Sequence, residues 1–177
     1  MDNSFIAYLQ RLELISFFSG YSLIYTISTF ITANRPLKIL SGRFALLLPM
    51  AYAIVGALYL GFILDKLFPD YSITNIKLVI QQPYLIIFGL LANLFWIPAI
   101  AKKKVWSLIH SLFFVCFLVK DLFLQFITPS ADNNLVRNDM KMYAVSILLN
   151  AVALLIVILG SFLFSRYKNV LSTKITQ

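Results

Sequence analysis

Charge is scarce in this 177-residue chain. Asp, Glu, Lys and Arg together make up 12% of it, about half the share found in an ordinary soluble domain. Acid is scarcer still, with 7 Asp+Glu against 15 Lys+Arg. There is one cysteine, Cys116, so no disulfide can form within the chain. There is one histidine, His110, and one His with one Cys cannot build a standard Cys/His zinc site. No Asn-x-Ser/Thr acceptor occurs, so N-glycosylation gives no hint of compartment. Also missing are G-x-S-x-G, H-E-x-x-H, a Walker-type glycine loop and a cysteine pair. The catalytic expectation is therefore none, the cofactor and metal expectations are none, and enzymatic activity is disfavoured.

What is abundant is apolar surface. Apolar residues make up 60% of the chain and the mean hydropathy is +0.86, which excludes a water-soluble globule, a disordered chain and a collagen-like one. A small integral membrane protein remains. The N-terminus does not read as a cleavable signal. It has Asp2 and no basic start, and Arg11 and Glu13 precede the first apolar run.

Crossing a ~30 Å hydrocarbon layer takes about 20 apolar residues in a helix. Five segments qualify: about 14–33, 44–64, 84–101, 105–127 and 143–164. None alternates as barrel strands do, and a lipid-embedded chain must satisfy its own backbone. The expected fold is all-α, a single transmembrane domain of five helices. The segments between the helices carry net charges of +3, 0, +3, 0 and +3, counted over 34–43, 65–83, 102–104, 128–142 and the tail after Phe164. This alternation places the basic segments and the C-terminus in the cytoplasm and the N-terminus outside. The rival count is four, with the short third segment re-entrant. The location expected is the cell membrane. The net charge of +8 is explained by topology, so no nucleic acid partner is expected.

Three further stretches carry local signals. Phe5, Ile6, Leu9 and Leu12 recur at helical spacing, as in a helix lying in the outer headgroups. Ile73, Ile76 and Ile80 do the same after Ser72. Residues 128–142, opened by Pro129, read as a polar turn.

Candidate functional groups lie inside the spans. Ala45, Pro49, Ala53, Ala57 and Gly61 stand four apart, a small-residue stripe that lets another helix approach closely. It serves either a partner interface or, more commonly, packing within the chain. On either reading it faces protein, so Ala57→Leu should loosen the bundle. In the fourth segment Ser107, His110, Asp121, Gln125 and Thr128 fall within about 60° at 100° per residue, with Ser111 at the margin. Intramembrane ionisable groups often mark an ion or proton path. Against that, Asp121 sits near the outer boundary and His110 about 9 Å above Lys104, where both can serve the interface. Pro98 cannot donate to the carbonyl of Leu94, so a kink is expected there. Asn93 and Asn150 need hydrogen-bond partners, most commonly on another helix. The Ser/Thr residues of the first segment are expected to bond back to their own helix.

Asn93, His110, Asp121 and Asn150 thus form the candidate polar cluster. The expected function is a non-catalytic membrane subunit, assembly factor or effector acting through helix packing. The partners expected are the lipid bilayer and a membrane protein or a second copy. The alternative is a small oligomeric transporter or channel using that cluster, and a lipid-modifying enzyme stands third.

Overall fold

The computed structural model describes residues 3–33, 38–66, 83–127 and 133–175. Among these residues every element is helical. The elements are α1 (Asn3–Phe18), α2 (Tyr21–Ala33), α3 (Lys38–Asp65), α4 (Pro83–Asn93), a 3-10 turn (Leu94–Trp96), α5 (Pro98–Ala101), α6 (Lys104–Ile127) and α7 (Asn133–Ile175). Four stretches are long and apolar enough to cross a membrane: Leu9–Ile31, Leu47–Asp65, Val105–Leu124 and Arg137–Tyr167. The chain is thus an all-helical bundle with the composition of a membrane protein.

The third apolar segment is not one continuous helix. Its α-helix stops at Asn93, tightens to a 3-10 turn, and opens at Ile97, whose ψ of 119° is extended. A proline ring crowds the residue before it out of the helical region, so the break falls one residue ahead of Pro98. Pro98 then starts α5, where its missing N–H is no loss.

Lipid tails are as apolar as leucine, so these helices are not pressed together by water. Close packing and hydrogen bonds hold them. α4 lies antiparallel on α3. Gly89 touches Tyr59 and Leu60, Ala92 lies on Gly56, and the rings of Phe95 and Tyr52 stand 5.9 Å apart. A Cβ on Gly56 would lie 2.7 Å from that of Ala92, so a side chain there would push the pair apart. α6 runs antiparallel to the α1–α2 pair, with Asp121 beside Arg11 and Ser107 beside Tyr21. At the centre, the Phe18 ring meets Tyr52, Tyr59, His110 and Phe114 at 5.0–5.8 Å.

Several expectations shift here. Residues 5–13 belong to α1, which runs unbroken to Phe18, so they are not a separate surface helix. Residues 133–142 are the first turns of α7 rather than a polar turn, and that helix extends well past 143–164 at both ends. The Ile73/Ile76/Ile80 repeat lies outside the described residues. The small-residue stripe does not stay on one face: Ala53 is fully buried, whereas Ala57 and Gly61 are exposed. Nothing lies within 4 Å of a Cβ built on Gly61. A spacing of four drifts about 40° per step around a 3.6-residue helix, which carries the stripe off the contacts made within the chain. The side chain of Ala45 lies outside the described residues.

Candidate functional site

The first membrane stretch is interrupted at Ser19–Gly20, between α1 and α2. A break frees carbonyls at the end of one helix and N–H groups at the start of the next, and inside a bilayer each must find a partner. Two neighbouring helices supply them. The N–H of Gly20 donates to Ser146 Oγ of α7 at 2.8 Å, and that of Ser22 to Ser111 Oγ of α6 at 2.9 Å. Ser111 Oγ in turn donates to the carbonyl of Phe18 at 2.8 Å. Asn150 Nδ2 donates to the carbonyls of Phe17 and Ser146, both at 2.8 Å. Ser22 Oγ bonds back to the carbonyl of Ser19 at 3.0 Å. Ser16, Ser19, Thr26 and Thr29 bond back to their own helices in the same way.

Gly20 is required by approach rather than by backbone conformation. A Cβ there would lie 2.7 Å from Ile147 Cα, and closer still to Ile147 N and Ser146 C. The α7 backbone therefore packs directly on the α1–α2 break.

Beside the break, the Tyr21 hydroxyl bonds Ser107 Oγ at 2.9 Å, and the Tyr52 hydroxyl bonds His110 Nδ1 at 2.6 Å. The Tyr52 ring sits 4.3 Å from Tyr21 and 5.9 Å from Phe95. It thereby links the first break to the second one at 94–97.

The end of the bundle where α1 starts holds the charges. Arg11 pairs with Asp121 at 2.7 Å, Glu13 pairs with Lys66, and the Tyr84 hydroxyl donates to Gln10 at 3.0 Å. Asp121 is 8% exposed, so its carboxylate is held by Arg11 in place of the adjacent Lys120.

The four residues of the candidate cluster are therefore spread out. Asn150 serves the α1–α2 break, and His110 joins Tyr52 one layer away. Asp121 lies at the charged end, and Asn93 Nδ2 bonds back to the carbonyl of Gly89 at 3.0 Å. Ser107 and Ser111 stand with the first two sites, while the side chain of Gln125, and Thr128, lie outside the described residues. Sequence reasoning missed the roles of Gly20, Tyr21, Tyr52 and Arg11. For Gly20 a signal existed, since a Ser-Gly pair inside an apolar run is a known kink site.

A groove of about 380 Å³ opens between α4–α5 and α6. Phe88, Leu91, Phe95, Trp106, Ile109 and Phe113 line it, and among the described residues His110 is the one ionisable group in its lining. Among the described residues no group of three or more His, Cys, Asp or Glu could hold a metal ion.

Compared with known proteins, the chain matches no family model, no curated protein and no solved structure.

Proposed function

We propose that this chain is a five-span protein of the cell membrane, N-terminus outside and C-terminus cytoplasmic, that serves as a non-catalytic component and docks a membrane partner along α7. Two geometric facts support the five crossings. Lys66, at the end of α3, pairs with Glu13, whereas α6 starts at Lys104, toward the opposite end. The segment between them follows α3 back through Gly89, Ala92 and Phe95. A re-entrant turn would return α6 to the end from which it left. The alternating loop charges then set the orientation.

α7 carries the partner reading. Its uncharged run, residues 142–165, is about 36 Å long, enough to cross the ~30 Å of a bilayer core. Only 11% of its most apolar window is buried in the chain. Leu148, Leu155 and Leu159 are each 58–67% exposed. An apolar helix face left this open by its own chain is one on which another membrane helix can pack. Ser111, Ser146 and Asn150, meanwhile, are engaged in holding the break together.

The test is native mass spectrometry of the protein extracted in mild detergent from its own membranes. A stoichiometric membrane-protein partner or second copy is expected. It should be lost on Leu148→Trp or Leu155→Trp and kept on Val119→Trp, an equally exposed site on α6. A monomer, or equal loss from all three, contradicts the reading.

A second reading, a small oligomeric transporter, draws on the α1–α2 break, because interrupted helices at membrane depth are how many transporters build their sites. It requires pH-dependent flux in proteoliposomes that Asp121→Asn abolishes.

A further inference from the structure

α4 and the 3-10 turn after it leave a face uncovered by the rest of the chain. Ile87, Leu90, Leu91, Asn93, Leu94 and Ile97 line a groove of about 380 Å³ there. Ile87, Leu90, Leu94 and Ile97 are 42–52% exposed. Lipid tails solvate these aliphatic side chains well, but not an amide. Asn93 stands nine residues from Tyr84, whose hydroxyl reaches Gln10 at the charged end, and nine from Lys102. At ~1.5 Å per residue this puts it near the middle of a ~30 Å layer. Its Nδ2 donates to the carbonyl of Gly89 on its own helix. Among the described residues its second N–H and its Oδ1 have no partner. Hydrocarbon supplies none, and an unmet amide is costly there.

The backbone beside Asn93 makes a second demand. It leaves the helix at 94–97, where Leu94, Trp96 and Ile97 are all more than 40% exposed. Irregular backbone at membrane depth is tolerated where protein or a water-filled cavity covers it. Asn93 is the one polar side chain in the groove lining, so water finds too few partners to fill it. Protein is the cover that meets both demands.

We propose that this face packs on the same face of a second copy, the two Asn93 amides bonding each other across a twofold axis along the membrane normal. Both copies enter the membrane in one orientation, so their Asn93 residues stand at one height. An amide both donates and accepts, which makes the pair self-complementary, as a twofold contact requires. A single buried Asn fixes register in coiled coils by the same means. The Lys102–Lys104 turns of the two copies lie in the headgroup layer, where salt screens their repulsion. The inference rests on the crossing of residues 83–101 proposed above. It is separate from the surface on α7: a copy held at α4 stays on Leu148→Trp.

Cross-linking in native membranes tests the contact. In a Cys116→Ser background, Leu90→Cys places a thiol one turn from Asn93 on the same face. Oxidation with copper phenanthroline should join it to its counterpart, giving a species of twice the chain mass. Val119→Cys, a comparably exposed site on α6, should stay monomeric. In liposomes holding donor- and acceptor-labelled protein, Asn93→Leu should weaken self-association about five- to tenfold, the effect of losing two interhelical hydrogen bonds. Asn93→Gln, which keeps the amide, should retain most of it. If Asn93→Leu does not fold, the cross-link still decides. Leu90→Cys dimers no more abundant than those of Val119→Cys overturn the proposal. So does cross-linking only to a different chain, or self-association unchanged by Asn93→Leu. Should Lys103→Cys be labelled only from the cytoplasmic side while Leu90→Cys gives no dimer, the crossing stands and the interface alone falls. Labelling of Lys103→Cys from outside removes the crossing and the inference with it.

Discussion

Gly20→Ala adds a single methyl group at the place where the α7 backbone rests on the α1–α2 break. The new Cβ would stand 2.7 Å from Ile147 Cα and nearer still to two other backbone atoms. Backbone in mid-helix cannot swing aside as a flexible side chain can. α7 must retreat by about 1 Å before the methyl reaches ordinary contact. Retreat stretches the Gly20–Ser146 and Asn150–Phe17 hydrogen bonds, now both 2.8 Å. Interhelical bonds in membranes are worth about 0.6 kcal/mol each on average, so together they account for about 1 kcal/mol. Overpacking typically adds about 1–3 kcal/mol. The expected loss is about 2–4 kcal/mol, read from reversible unfolding of the detergent-solubilised protein in SDS. Gly61→Ala and Gly160→Ala are the controls, because no atom lies within 4 Å of either added Cβ. They should change stability by no more than the ~1 kcal/mol helix preference of alanine over glycine, and in the stabilising direction. Ser146→Ala should lose most of its own effect in the Gly20→Ala background. If Gly20→Ala unfolds at the same SDS fraction as the parent, α7 does not pack on the break and the reasoning fails.

Other variants probe the rest of the bundle. Arg11→Met leaves the nearly buried Asp121 carboxylate unpaired and should cost about 1–2 kcal/mol, the partial exposure of Arg11 softening the loss. Asp121→Asn, which removes the charge along with its need for a partner, should cost less in the same assay. A double-mutant cycle between Tyr52→Phe and His110→Phe should return a coupling of about 1 kcal/mol, from the 2.6 Å bond they share. A coupling near zero would remove that bond from the account. Ala57→Leu should leave detergent melting unchanged because Ala57 is exposed, whereas Gly56→Leu should lower it through collision with Ala92.

The helices were legible because hydrocarbon thickness imposes a length and a composition that any spanning segment must show. Pro98 announced the second break through its missing donor and its crowding of Ile97. The pairing of the polar groups was not legible. Helical geometry puts Ser107, His110 and Asp121 on one side of α6, yet along the axis Asp121 is about 16 Å from His110. Each therefore meets a different neighbour, Tyr52 in one case and Arg11 in the other. Angular position on one helix says nothing of what another helix presents at that height. Arg11 and Glu13 read as residues outside the membrane because charge is costly in lipid. The fold instead draws them into the end of the bundle by giving each a partner. The start of α7 was hidden for the same reason. Arg137, Asp139 and Lys141 look like loop residues by hydropathy, but the helix runs through them, with Asp139 wholly buried. The stripe of small residues drifts about 80° in two steps of four, so Ala53 packs within the chain while Ala57 and Gly61 are exposed.

Sidedness of the Lys102–Lys104 turn tests the central claim most directly, because it reports on the one segment over which five crossings and four differ. In a Cys116→Ser background, single cysteines at Asp70 and Lys103 are exposed to a membrane-impermeant maleimide on intact cells. The five-span arrangement predicts labelling of Asp70→Cys at once and of Lys103→Cys only after permeabilisation. Labelling of both from the same side would mean that residues 83–101 turn back within the bilayer, and the arrangement built on their passage across it would be wrong.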